Sequence, residues 1–274
     1  MKFKYLIIAF SVIIIFILLM TAMLPVLTSA SSDVLNFRYF TFPLFIFMIL
    51  TLICLWIFFL FNYRLLSLLE REDWPALAYY LEQKIFVKGN YSSRLVKLLA
   101  SSYMVISDYQ SILKLETKAA LAKPAVISKN ILIFGVARIL SRDYADAAVF
   151  FKTHLEKVKV KERDWVRWFH GFSHLLNGSF NLAEPEFLAL AQFSDDAIIT
   201  ALSAYFLSNN LVKYSKNPNE CMAAAGNGET RVVKALKNAG GWKKEVDRVA
   251  SNIHITIIRK YIDEAGTWLF GIKV

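Results

Sequence analysis

One interval limits what this chain can fold into more than any other feature. Asp73-Trp74, Asp108-Tyr109 and Asp143-Tyr144 stand 35 residues apart each time, and Ser179-Phe180 follows after 36. A self-similar period of about 20–50 residues marks stacked repeats, in which each unit buries its apolar face on its neighbours. Around the pairs, apolar residues recur at three and four, the spacing of one helical face. Tyr144, Ala147 and Phe151 share such a stripe, Phe180, Ala183 and Phe187 repeat it, and Trp74, Leu77 and Leu81 are its first version. No window from about Arg64 onward alternates as a strand does, so that part is expected to be all-α.

These residues resemble the tetratricopeptide repeat (TPR) family, whose units are antiparallel helix pairs. The family's small first-helix residue matches Ala100, Gly135 and Gly171, and its aromatic after the turn matches Trp74, Tyr109, Tyr144 and Phe180. The small residue that follows matches Ala147 and Ala183, with Leu77 and Ile112 as substitutes. The tyrosine of the first helix matches Tyr103, whereas Arg138 and His174 depart from it; the terminal proline matches Pro124 alone. The resemblance covers about residues 63–208 and implies an α-solenoid in which Phe151 and Phe187 also pack between helices. It further implies a concave partner-binding groove lined by Arg94, Lys97 and Ser101, then Lys129, Leu132 and Val136, then Trp165, Trp168 and Phe172. Such a groove, basic at one end and aromatic at the other, would steer acidic segments and anchor apolar side chains.

Charge divides the chain. Residues 1–63 hold four charges, Lys2, Lys4, Asp33 and Arg38, and the other 50 of 54 fall in the remaining 211 positions. Two uncharged apolar runs, about residues 5–27 and 42–63, are each long enough to cross a bilayer as a helix. Pro25 and Pro43 sit where these helices could end and begin. Lys2 and Lys4 precede the first run, Arg64 and Arg71 follow the second, and the connection carries Arg38 alone. The positive-inside rule then gives a transmembrane hairpin with both termini cytoplasmic, in a bacterial inner membrane. The alternative is a cleaved signal peptide ending near Leu27–Ala30, against which stands an apolar core of about 20 residues where signals have about 7–15. Phe61–Glu70 contains no helix breaker, so the second span is expected to continue into the repeats.

Residues 209–274 read as a C-terminal helical cap. Pro218, Gly226 and Gly228 signal turns across residues 209–230, with a short helix from Thr230 to Asn238 ended by Gly240-Gly241. One longer helix is expected from Trp242 to about Trp268, covering the exposed edge of the last repeat. Residues 212–274 carry a net charge of +5, and the part beyond residue 63 carries +8 of the total +10.

Chemistry-bearing motifs are sparse. His170 and His174 lie four apart on a helix, but zinc usually takes three or four protein ligands, so no metal site is expected. Asp195-Asp196 suits a helix start. Gly226-Asn-Gly228 lacks the lysine and hydroxyl of a phosphate loop, and no nucleophilic triad signature occurs. Cys54 and Cys221 are too separated in context to suggest a bridge, which fits a reducing compartment. The sequence therefore reads as a non-enzyme without cofactor. The expectation is a membrane-anchored scaffold of transmembrane hairpin (1–63), helical repeats (64–208) and cap (209–274) that offers a groove to a protein or peptide partner. Two other readings stand beside it. One is an accessory of a membrane-associated pathway, because the layout resembles bacterial HemY-type proteins. The other is a basic membrane-surface or nucleic-acid binder, although no concentrated patch of stacking aromatics favours nucleic acid.

Overall fold

The computed structural model describes residues 2–27, 34–156 and 160–271. Among them every regular element is helical and no strand occurs. The chain divides after Tyr80 into two units.

In the first unit α1 (Lys2–Leu27) packs against α2 (Val34–Glu70). Among the described residues one helix is long and apolar enough to cross a membrane, the Ile46–Glu70 stretch of α2, with a mean hydropathy of 2.4. Phe47, Leu50, Phe58, Leu60 and Phe61 all stand exposed on it. Each such side chain loses about 1.5–3 kcal/mol in water relative to an apolar surrounding. Polar groups are satisfied within the helix, since Thr51 Oγ1 and Asn62 Nδ2 each donate to the carbonyl four residues back at 2.8 Å. These features mark α2 as a candidate membrane helix. Pro43, expected at the start of a span, instead lies inside α2, which begins at Val34 and runs unbroken to Glu70. The alternative cleavage point falls largely on residues 28–30, outside the described residues.

α3 (Trp74–Glu82) continues as a wider turn to Val87. The second unit then runs through α4 (Ser93–Val105), α5 (Tyr109–Ala122), the short α6 (Ala125–Ser128), α7 (Ile131–Leu140) and α8 (Tyr144–His154). It continues with α9 (Val160–Leu176), α10 (Phe180–Phe193), α11 (Ala197–Asn209), α12 (Pro218–Leu236), α13 (Ala239–Val249), α14 (Ile253–Ile257) and α15 (Arg259–Phe270). From α7 to α12 each helix packs on the one after it, and α5 bridges α4 and α7.

One turn geometry recurs at the sequence interval. Glu72, Ser107, Arg142 and Gly178 all adopt positive φ, at 54°, 59°, 62° and 74°. After each comes a residue whose N–H reaches back five positions: Asp73 to Leu68, Asp108 to Tyr103, Asp143 to Arg138 and Ser179 to His174, at 2.9–3.2 Å. This closes the preceding helix in the manner of a Schellman cap. The same aspartates open the next helix, their carboxylates accepting from Ala76, Ser111 and Asp146 N–H at 3.1 Å. Ser179 makes no side-chain bond of that kind. The acidic–aromatic pairs are thus helix caps joined to the first aromatic of the following helix. Three of the four left-handed positions hold a residue other than glycine, at a cost of about 1–2 kcal/mol each.

Packing repeats as well. A Cβ on Gly135 would lie 2.1 Å from Phe151 Cζ, and one on Gly171 would lie 3.0 Å from Glu186 Cβ and 3.5 Å from Phe187 Cζ. On its far side Phe151 stacks on Phe169 at 5.7 Å, and Phe187 stacks on Phe206 at 5.6 Å. Each wedge ring therefore joins its own pair of helices to the next first helix. Ala100, Ala147 and Ala183 are fully buried, whereas Trp74, Tyr109, Tyr144 and Phe180 are half-buried at the turns.

The C-terminal third departs from the sequence expectation. Gly226 and Gly228 are not turn residues; they lie inside α12, which starts at Pro218. Pro218 occupies the first helical turn, where its missing N–H costs nothing. Gly228 is buried where α12 crosses α11, and a Cβ there would stand 3.1 Å from Ala204 Cβ. Gly240 and Gly241 open α13 rather than ending a helix, with Asn238 Oδ1 accepting from Gly241 N–H at 3.0 Å. The single helix expected from Trp242 onward is broken into α13, α14 and α15.

Candidate functional site

The residues assigned to the groove lie on the first helices of the pairs, α4, α7 and α9, except Lys129, which lies in the turn between α6 and α7. Arg94, Lys97 and Lys129 are exposed, and Ser101 and Leu132 are half-buried. The rest are interior. Val136 and Trp168 are 0% exposed, Phe172 4% and Trp165 7%. The expectation of an open aromatic groove is corrected here, because the chain's own C-terminal helices cover that end. Trp165 meets His254 of α14 edge-on at 5.2 Å, and Phe172 meets Tyr261 of α15 at 5.4 Å. Trp168 is enclosed by Phe172, Phe187 and Phe206 at 4.8–6.1 Å. α14 lies along α7 and α15 along α11.

At the basic end a cavity of about 170 Å³ remains. Lys97, Lys129, Leu132 and Trp165, all assigned to the groove from the sequence, line it together. Among the other residues that line it are Asn130, Glu162 and His254. The cavity opens at the start of α7, whose N-cap Asn130 provides no side-chain cap bond. Asn130 Nδ2 donates instead to Ser93 Oγ at 3.1 Å and to the Val126 carbonyl at 2.9 Å. Burial, with the nearby Lys97 ammonium adding to it, pushes the His254 imidazole down to about 4. Its neutral ring is thus the stable form at neutral pH.

His170 and His174 do come together, Nε2 to Nε2 at 3.1 Å. His170 Nδ1 lies 3.3 Å from Glu186, and Arg167 holds the same carboxylate at 2.5 Å. Burial would raise Glu186, but the hydrogen bonds and charges of His170 and Arg167 outweigh it and hold its carboxyl below the usual range. Among the described residues no group of three or more His, Cys, Asp or Glu side chains converges as a metal site. The equivalent polar knot one pair earlier joins Arg138 to Glu116 and Asp146, both at 2.6 Å, under the Phe150 ring. One pair earlier again, Tyr103 donates to Glu82 at 2.5 Å. These three knots occupy the positions where the sequence departs from or keeps the repeat tyrosine; those of Tyr103 and Arg138 tie one helix pair to its neighbour, and that of His170 and Arg167 on Glu186 joins the two helices of its own pair. Asp196 caps α11 as expected, accepting from Ile198 and Ile199 N–H at 2.9 and 3.1 Å.

No local pattern in the residues points to Glu162 or His254 at the cavity. Glu162 sits in a charged run at the start of α9, and His254 lies in a stretch that reads as continuous helix. The helix break that turns His254 inward depends on tertiary packing.

Fold and cavity together define an all-helical protein with a candidate membrane helix and a basic pocket in its second unit. Residues 111–271 match the model of a family described as "Uncharacterised Treponema protein". The chain is also 30% identical over 216 residues to an "Uncharacterized protein" of Treponema pallidum (strain Nichols), covering 76% of this chain and 69% of that one. The chain belongs to this family. The matched region takes in α6 to α15, so the C-terminal helices that fill the groove are part of what the family shares.

Proposed function

We propose that the protein is a membrane-anchored scaffold: a TPR-like solenoid presented to the cytoplasm by a two-span hairpin in the inner membrane, recruiting a protein partner without catalysis. The observation that carries this reading is the recurring turn at Glu72, Ser107, Arg142 and Gly178, because one geometry at one interval is how a solenoid is built. The apolar helix of α2 and the flanking lysines and arginines support the anchor and its orientation. With the aromatic end filled in cis, the partner surface is the basic end: Arg94, Lys97, Ser101, Lys129 and Leu132. A partner segment of acidic character fits it by charge.

Topology is the first test. Single cysteines placed at exposed Lys129 and at Asp33, in a Cys54→Ser background, are labelled in intact and permeabilised cells. The reading expects Lys129→Cys to react only after permeabilisation and Asp33→Cys to react in intact cells. Labelling of Lys129→Cys from outside overturns both the orientation and the cytoplasmic partner.

A further inference from the structure

The third polar knot is built differently from the two before it. At Tyr103 and at Arg138 a donor meets carboxylates directly, Glu82 in the first case, Glu116 and Asp146 in the second. His174 stands at the same repeat position but turns its Nε2 to the Nε2 of His170, at 3.1 Å. Glu186 needs neither ring to tie α9 to α10, because Arg167 already holds it at 2.5 Å. His170 is 6% exposed, and its Nδ1 lies 3.3 Å from the same carboxylate. A buried imidazole facing a carboxylate keeps its hydrogen on that side and presents a lone pair at the other nitrogen. Metal-binding histidines are commonly oriented in this way.

The pair also has the dimensions of a chelate. Two imidazoles bound at about 2.0–2.1 Å to one metal, with a bond angle of about 90–110°, hold their nitrogens about 2.9–3.3 Å apart and their ring centres about 4.5–5.2 Å apart. The observed separations are 3.1 Å and 4.7 Å, with the rings crossed at 74°. A spacing of four along α9 puts both rings on one face, and the half-buried His174 leaves the pair accessible from solvent. Without an ion, one hydrogen on His174 Nε2 lies between the two nitrogens; binding requires only that this ring carry it on Nδ1 instead. We infer that His170 and His174 chelate a divalent transition-metal ion that prefers nitrogen ligands, zinc or copper(II), through their Nε2 atoms, with the Glu186 carboxylate behind His170. Water fills the remaining positions, so the site holds its ion less tightly than one with three or four protein ligands. Of the charges that reach His174, Glu186 favours a cation and the exposed Lys152 opposes it. The site needs neither the basic cavity nor a partner, and it is independent of the scaffold reading.

The test is calorimetric titration of the full chain in nonionic detergent with zinc chloride. One saturable site is expected. His174→Gln, at the half-buried member of the pair, should bind zinc about tenfold more weakly or worse, a change of about 1.4 kcal/mol. His154→Gln, which changes a histidine outside the pair, should bind it as the wild type does. A second measurement needs no variant: pulsed electron paramagnetic resonance of one equivalent of copper(II) on the wild-type chain counts the imidazoles on the metal, and two are expected. No saturable zinc binding, unchanged affinity in His174→Gln, an equal loss in His154→Gln, or fewer than two imidazoles on the bound copper overturns the site.

Discussion

The Phe151 ring fills the place where a side chain on Gly135 would begin, 2.1 Å from where a Cβ would stand. Helix propensity alone would favour alanine over glycine by about 1 kcal/mol in α7. The ring reverses that sign. Gly135→Ala should lower the stability of the protein by about 1–3 kcal/mol through overpacking, and Phe151→Ala by about 3–5 kcal/mol. Gly226→Ala, on an exposed turn of α12 with nothing within 4 Å, should raise it by about 0.5–1 kcal/mol. Denaturant midpoints of the three variants check the set; a stabilising Gly135→Ala would mean the wedge is not packed this way.

The left-handed turns make a prediction of opposite direction. Ser107 and Arg142 sit at φ values of 59° and 62° where Gly178 sits in the fourth turn. Replacing either with glycine relieves the Cβ contact of a left-handed residue. Ser107→Gly and Arg142→Gly should each raise the thermal midpoint, by an amount corresponding to about 0.5–1 kcal/mol. A drop in the midpoint of both would show that these side chains contribute more than their backbone costs.

How far the sequence could be read follows from which signals are local. The caps at Asp108 and Asp143, the buried Ala147 and Ala183, and the wedges Phe151 and Phe187 belong to a periodic pattern, and periodicity survives in one dimension. The break before His254 does not, because residues 250–252 leave the helix so that α14 packs on α7, far away in the chain. Trp165, Trp168 and Phe172 were placed correctly on first helices and wrongly in the open. The pattern gives a residue's face but says nothing of a later segment that covers that face. Gly228 failed for a related reason: glycine marks a turn or a close helix crossing, and only the neighbour, here Ala204, decides which.

Trp168 accordingly belongs to the core. Trp168→Ala should destabilise by about 3–5 kcal/mol. Its indole Nε1 is buried without a partner, so Trp168→Phe loses no hydrogen bond and should cost distinctly less. Thermal or chemical denaturation of the pair decides it; equal losses would show that the indole N–H is bonded after all.

Acid should weaken the second unit through His254. The folded ring titrates near 4, and the unfolded one at the ordinary value of 6.5. Between those values the unfolded chain takes up a proton that the folded chain refuses, so stability is intact above about 6.5 and lost progressively toward about 4, by on the order of 3 kcal/mol. His174, also lowered by burial and by His170, adds to the same slope, while Glu186, held low by its partners, adds a loss only below its ordinary 4.5. Urea denaturation at about pH 7.5 and about pH 5 should show a smaller difference in His254→Gln than in the wild type. An unchanged difference would place the proton uptake elsewhere.

The scaffold reading stands or falls on whether the basic end of the repeat unit meets a partner in the membrane environment. A photo-crosslinking residue at Lys129, with the exposed Val149 of α8 as comparison, reads this directly in intact cells expressing the full chain. The account predicts a discrete protein adduct from Lys129, lost when Lys97 is changed to Glu and absent from Val149. No adduct at Lys129, or the same adducts from both positions with no dependence on Lys97, would contradict it.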